Sequence, residues 1–282
     1  MNATQKQQIA NEVIRLSSHS SQGMIAHRAG VSTATISQVV NNNWKLIAPE
    51  MWRKIAVSLH MDTEWNHGDT ANDKILNDLL LAAHTRSLAI GISHEAGAGK
   101  SHAYKRYMKS YKNVIYVECK NFWSKKTFVK NLLSASGIKS NGTAEEMIEA
   151  FLDHVMKLEK PLIIFDQIDK LKDTQMDLFM DFYNDLPHCG FVCSGVPALK
   201  KRILRGVQRD KIGYNEFYSR IGRKFIQLDP ISLQDVTNVC NANGITDEEF
   251  INYTFNTCDG DFRRVRRSIE QYFLMNKKKQ AS

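Results

Sequence analysis

The residues best placed to do chemistry are a lysine and a serine behind two glycines, in the stretch Glu95, Ala96, Gly97, Ala98, Gly99, Lys100, Ser101, His102. Gly97 and Gly99 let successive backbone N–H groups converge on phosphate oxygens, and a helix starting behind them adds its partial positive charge. Lys100 is spaced to reach the β- and γ-phosphates of a nucleotide, and Ser101 to ligate Mg2+. His94 stands where the pattern GxxxxGK[ST] has its first glycine. It supplies none of the phosphate donors, so the loop is expected to work with an altered affinity. Asp166 closes the apolar run 161–166 and would hold the Mg2+ through water, completing a site for ATP and Mg2+. The next residue is Gln167, where hydrolytic sites of this kind carry Glu. An amide orients water but does not take its proton, so binding with slow hydrolysis is expected. Asp169 reads either as a further carboxylate of the site or as the cap of the helix that follows.

Such residues need a strand before the loop, a helix after it and a second strand ending at Asp166. The runs 87–93, 113–119, 161–166 and 190–195 are short and apolar, with helix-like segments between them. That alternation is the signature of an α/β fold, a P-loop module with a buried parallel sheet and flanking helices, here assigned to residues 75–230. Residues 231–282 return to helical periodicity and form a small C-terminal helical subdomain. Residues 61–74 are polar, lack periodicity and read as a linker.

Residues 1–60 read as short helices with starts marked by Ser21, Ser32 and Pro49. Ile25, Ala26 and Ala29 place one helix on a core, Gly30 permits a tight turn, and Ile36, Val39 and Val40 hold the next helix against the first. This is helix-turn-helix spacing, leaving Thr33, Ala34, Thr35, Ser37 and Gln38 outward to enter a major groove. A helical hairpin that packs on protein has the same pattern.

The chain of 282 residues is long enough for two domains, and 43% hydrophobic residues with 24% charged is an ordinary globular balance. Five scattered cysteines without metal-ligand spacing read as reduced thiols of a cytoplasmic protein. The polar N-terminus and the lack of a long apolar run argue against a leader or a membrane partner. The net charge is +8, and residues 101–140 hold nine Lys/Arg against Glu118 alone. With Tyr104, Tyr107, Tyr111, Phe122 and Trp123 interleaved, this segment suggests contact with a polyanion, and Lys120, Lys125 and Lys126 after the second strand are the expected DNA-facing loop.

With both motifs placed, the chain resembles the MuB-like AAA+ ATPases of DNA transposition, a group that includes the TnsC and IstB proteins. The resemblance covers nearly the whole chain: a helix-turn-helix domain followed by an AAA+ module. It implies that Ser194, in "FVCSGVPALKKRI", is a sensor residue. Arg220, or else Arg223, in "FYSRIGRKFIQLDPIS", would be an arginine finger, and Arg263, in "CDGDFRRVRRSI", a second sensor. Arg264, Arg266 and Arg267 crowd the same helix and read equally as solvated. The function implied is ATP-dependent assembly of a homo-oligomeric filament or ring on double-stranded DNA, with recruitment and stimulation of a transposase at the selected target. A helicase loader or replication initiator shares the module. A nucleotide-sensing helix-turn-helix transcriptional regulator is the alternative from another class.

Overall fold

A computed structural model describes residues 1, 3–18, 20–59, 61 and 65–280, with side chains to residue 275. Residues 62–64 of the expected linker, and the chain positions 60 and 281–282 at two expected domain ends, lie outside the described residues.

The N-terminal unit is four helices: α1 (Ala3–Ser17), α2 (Gln22–Ala29), α3 (Thr33–Val40) and α4 (Pro49–Ser58). Ser21 and Ser32 occupy N-cap positions, their side chains accepting the amides of Met24 and Thr35, while Pro49 sits at the first turn of α4. Gly30 ends α2 at φ +64°, a left-handed conformation that costs glycine little. Ile9, Val13, Ile25, Ile36, Trp52 and Ile55 are fully buried and form the unit's own core.

The central unit begins with α5 (Ala71–Arg86), capped by the Thr70 side chain. There follow β1 (Ala89–Ser93), α6 (Lys100–Ser110), β2 (Val114–Glu118), α7 (Lys125–Ala135), α8 (Ala144–Met156), β3 (Leu162–Asp166), α9 (Asp173–Asp185), β4 (Gly190–Gly195), α10 (Pro197–Gln208), α11 (Tyr214–Arg220) and β5 (Phe225–Ile226). The five strands pair in the order β2-β3-β4-β1-β5, and every pairing is parallel. Because strand side chains alternate between faces, Tyr116, Ile164 and Val192 point to a core shared with α5 and α6. Val117, Phe165 and Cys193 point to a second core shared with α7 and α9–α11. Burial on both faces explains the continuous apolar runs in the sequence. The order places β4 between β1 and β3, so the loops leaving β1 and β3 open into one crevice at the carboxyl ends of the strands, where open α/β sheets bind ligands.

Three helices close the chain, α12 (Leu233–Ala242), α13 (Glu248–Cys258) and α14 (Phe262–Gln280), around Val236, Cys240, Ile245, Val265 and Ile269. The expected linker behaves otherwise than a linker from residue 65 onward. Asn66 exchanges hydrogen bonds with the Asn243 side chain, the Asp69 carbonyl accepts from Asn238, and Ala71 N–H donates to Asp235. Gly68 packs so closely that an added Cβ would come within 2.5 Å of Val239 Cα. Residues 65–70 are thus a strap laid on α12, and the last four residues of the segment expected to be loose, 71–74, already belong to α5. Side chains of α12 and of Asn243 at its end satisfy the backbone of this segment, which solvent was expected to do.

Among the described residues, contacts from α1 and α2 join the N-terminal unit to the central one. Arg15 on α1 donates to the Lys109 carbonyl near the end of α6, and Met24 on α2 packs at Gly137. Among the described residues no helix is long and apolar enough to cross a membrane, and all five cysteines are free and buried.

Candidate nucleotide site

The loop between β1 and α6 takes its shape from its two glycines, Gly97 at φ +87° and Gly99 at φ +88°. Both conformations would strain any residue with a Cβ. Gly97 has a second reason to be glycine: a Cβ there would lie 2.1 Å from Asp261 Oδ1, in the turn leading into α14. The Phe262 amide donates to the Gly97 carbonyl at 3.0 Å, so the C-terminal subdomain is tied to the loop itself. His94 enters the structure as a fastener. Its Nδ1 accepts the Leu228 amide at 3.2 Å, joining the loop entry to the segment after β5. Burial and the charge of Lys100 lower the His94 pKa, which keeps that nitrogen available as an acceptor.

Lys100 begins α6 and is buried. Its Nζ donates to the carbonyls of His94 and Glu95, 2.7 Å each, so the ammonium is held inside the curve of the loop. Desolvation lowers its pKa, and the Asp166, Asp169 and Glu95 carboxylates oppose that shift. Ser101 Oγ donates to Asp166 Oδ2 at 2.5 Å, bringing together the two residues expected to hold the metal. Tyr116 donates to the same oxygen at 3.0 Å. Asp166 Oδ1 is buried with no hydrogen-bond partner, and burial raises the Asp166 pKa. A buried carboxylate oxygen left without a donor, beside a serine hydroxyl, fits a divalent cation that would neutralise it.

These groups line one cavity of about 710 Å³, within the range of small-ligand sites. Ala96, Gly97, Gly99, Lys100, Ser101 and His102 form its phosphate end, and Asp166, Gln167 and Asp169 its metal side. The far end is made by the strap and the last helices: Trp65, His67, Val239 and Phe262. His102 Nε2 lies 3.0 Å from His67 Nδ1, so its ring joins this far wall and contributes its backbone to the loop. His67, Asp69 and Asp73 lie close enough to share a cation, and the Arg106 guanidinium bonds to Asp73 there at 2.6 Å. Glu95 is exposed, and Ala98 is buried under the loop.

The remaining expected residues divide. Arg263 lines the cavity but is held by Asp261, with Nε bonds of 3.0 and 3.1 Å. Ser194 does not line it; it is fully buried and accepts a hydrogen bond from Tyr104 at 2.8 Å. Arg220 is remote from its own chain's cavity, bonded to Asn184 and Glu216 and lying 5.2 Å over the Tyr183 ring. Asp169 Oδ1 accepts the Val196 amide at 3.3 Å, at the junction of β4 and α10, and the N-cap position of α9 is Lys172 instead. Gln167 has φ +57°; its Nε2 donates to Glu118 at 3.2 Å and its Oε1 accepts from Lys170. Glu118, which ends β2 in register with Asp166, also binds Lys120 and Lys105.

That network bears on the basic segment, whose lysines fall into two groups. Lys105, Arg106 and Lys109 belong to the cavity wall and Lys120 is paired with Glu118, while Lys112, Lys125, Lys126, Lys130 and Lys139 are exposed. Tyr104, Tyr116, Glu118 and Asp261 were not singled out for the site by their spacing. A signal existed for Tyr116, whose alternation with Val117 puts it on the α6 face of β2, two residues before the strand end.

The β1–α6 loop, the carboxylate at the end of β3 and the 2-3-4-1-5 sheet describe a nucleotide-binding module, and comparison with known families agrees. Residues 86–203 match the AAA domain family. The matched span runs from the end of α5 through β1, the loop, β3 and β4 into α10, and so holds both halves of the site. The chain therefore carries an AAA-type nucleotide-binding domain. No curated protein matches the chain. In this AAA domain the residues present fit a nucleoside triphosphate with Mg2+: the loop amides and Lys100 would take the phosphates, and Ser101 and Asp166 would hold the metal. Strap and C-terminal subdomain lie outside the matched span, yet they supply the cavity's far wall.

Proposed function

We propose that this chain is an ATP-dependent DNA-binding ATPase of the MuB-like kind, assembling on target double-stranded DNA and recruiting a transposase to it. The observation that supports this best is the adjacency of two sites on neighbouring strands. β3 ends in Asp166 and Gln167 at the nucleotide, β2 ends in Glu118 and runs into the lysine-bearing turn 120–126, and Gln167, Glu118 and Lys120 are hydrogen-bonded in series. Nucleotide state and contact with a polyanion therefore act on one set of side chains.

In this reading Lys100 and the loop amides bind the phosphates, and Ser101 and Asp166 hold Mg2+, which supplies charge neutralisation at the transferring phosphate when bound. Gln167 positions water without taking its proton, which makes hydrolysis slow. Ser194 acts from beneath the site through Tyr104, and Arg263 reports on the phosphates once released from Asp261. Arg220, facing away from its own cavity, serves the site of a neighbouring copy in a filament or ring. Lys125 and Lys126, with Lys120, neutralise DNA phosphates without reading sequence. Thr33, Thr35, Ser37 and Gln38 on α3 are the second DNA-contacting set, in a cytoplasmic protein. A nucleotide-sensing transcriptional regulator is the competing reading, favoured by His94 and Gln167.

Electron microscopy with duplex DNA and a slowly hydrolysed ATP analogue tests this. The wild-type chain is expected to form regular filaments or rings on DNA only with nucleotide, and Lys100→Ala none at the same concentrations. Assemblies that form equally without nucleotide, or with Lys100→Ala, would remove the site from the account. A chain that binds DNA only as discrete dimers at specific sequences would support the regulator instead.

A further inference from the structure

We infer that Phe122 is a stacking side chain that this chain inserts against an unpaired or unstacked DNA base, so that its DNA contact favours duplex that is locally opened. The inference rests on the DNA-binding reading above and adds to it the state of the DNA. Phe122 is 79% exposed and belongs to none of the four hydrophobic cores of the described residues.

A loose tail would give a phenyl ring no fixed direction, but this turn is pinned on both sides. Cys119, fully buried, donates its amide to the Asp166 carbonyl at 2.8 Å. The Trp123 amide closes back onto the Lys120 carbonyl at 3.3 Å. Trp123 itself is buried against Phe128, and its carbonyl accepts from the buried Gln175 side chain at 3.1 Å. Ser124 then caps α7. Between two anchored neighbours, Asn121 and Phe122 form the projecting tip.

The charges around that tip identify the occupant. Lys120 stands before it and Lys125 and Lys126 after it, the last two exposed. A protein partner of matching chemistry would have to present an apolar pocket rimmed with acids. Nucleic acid presents both parts in every repeat, a phosphate for each lysine and a π-face for the ring. Inside an intact stack the π-faces are covered, so a rigid aromatic tip gains only where a base is flipped out, mispaired or kinked open. Lysines provide attraction to any sequence, and the ring provides preference for deformed sites.

The test is binding of the full chain, with the ATP analogue, to a perfect duplex and to the same duplex carrying a central run of mismatches. Fluorescence anisotropy is measured across a salt series. The mismatched duplex is expected to bind about tenfold tighter, the range of one base–aromatic stack. Phe122→Ala should erase that preference while leaving the salt slope unchanged, since no charge is removed, and Phe122→Trp should keep the preference. Lys125→Ala with Lys126→Ala should do the opposite, lowering the slope by about 0.9 per lost phosphate contact with the preference retained. Equal wild-type affinity for the two duplexes, or a preference that survives in Phe122→Ala, overturns the inference while DNA binding stands. Failure of the wild-type chain to bind either duplex at low salt overturns the DNA-binding reading itself.

Discussion

At the scale of single residues, the site is built around charge that is not yet compensated. Asp166 is buried, one of its oxygens lacks a donor, and burial raises its pKa above the ordinary carboxylate value. A folded-state pKa above the unfolded one means that the folded chain holds this proton more tightly. Stability from this group is therefore present at low pH and falls as pH rises from the ordinary value through the raised one. Burial thus makes ionisation of Asp166 unfavourable to the fold, and a bound divalent cation would offset that cost. Asp166→Asn is accordingly expected to stabilise the nucleotide-free protein by about 1 kcal/mol. The same change should abolish the Mg2+-dependent part of ATP binding. Thermal unfolding at pH 7 and titration with and without Mg2+ measure the two effects. A lower unfolding midpoint would show that the bonds from Ser101 and Tyr116 depend on the charge more than burial opposes it.

At the scale of elements, the phosphate loop is shaped from outside as much as from within. Gly97 is backed by Asp261 and tied to Phe262, so α14 and the loop form one packed piece. Gly97→Ala should cost about 1–2 kcal/mol from the left-handed backbone alone. It should also push the Asp261 turn away, weakening nucleotide binding and loosening the C-terminal subdomain together. Hydrogen exchange across 261–269, compared between wild type and variant, checks this; unchanged protection there with lost binding would confine the effect to the loop. The same contrast marks what the sequence made legible. Four strands, the loop and its helix were readable because Val114–Glu118 and Leu162–Asp166 are continuous apolar runs buried on both faces, and glycine spacing is a local property. The strap was not, since Asn66, Asp69 and Asn243 look solvent-facing until their partners, some 170 positions away, are known. β5 is two residues long, below any period. Asp169 was legible as a polar residue beside the site, but its bond to the Val196 amide is reached only through the fold.

At the scale of the whole molecule, Arg263 lines the cavity and Arg220 does not. Arg220 is held on α11 by Asn184, Glu216 and Tyr183, away from its own cavity. If it completes a neighbour's site, Arg220→Ala should leave nucleotide affinity of the monomer within about twofold, because no contact within one chain's site is removed. Cooperative assembly on DNA and the hydrolysis that depends on it should be lost. Binding of a fluorescent ATP analogue at low protein concentration, set beside sedimentation with DNA, separates the two, and a monomer that no longer binds nucleotide would return Arg220 to its own site. One more property of the molecule follows from α6. This helix carries Lys100 and Ser101 at one end, and close to its other end the Lys109 carbonyl is gripped by Arg15 of the N-terminal unit. Eleven residues make a stiff rod of about 16 Å. Tilting it by ten degrees at the phosphates would carry the far end about 3 Å. The four N-terminal helices must ride with that end or let go of it, which makes α6 a tiller between the nucleotide and the helix pair α2–α3.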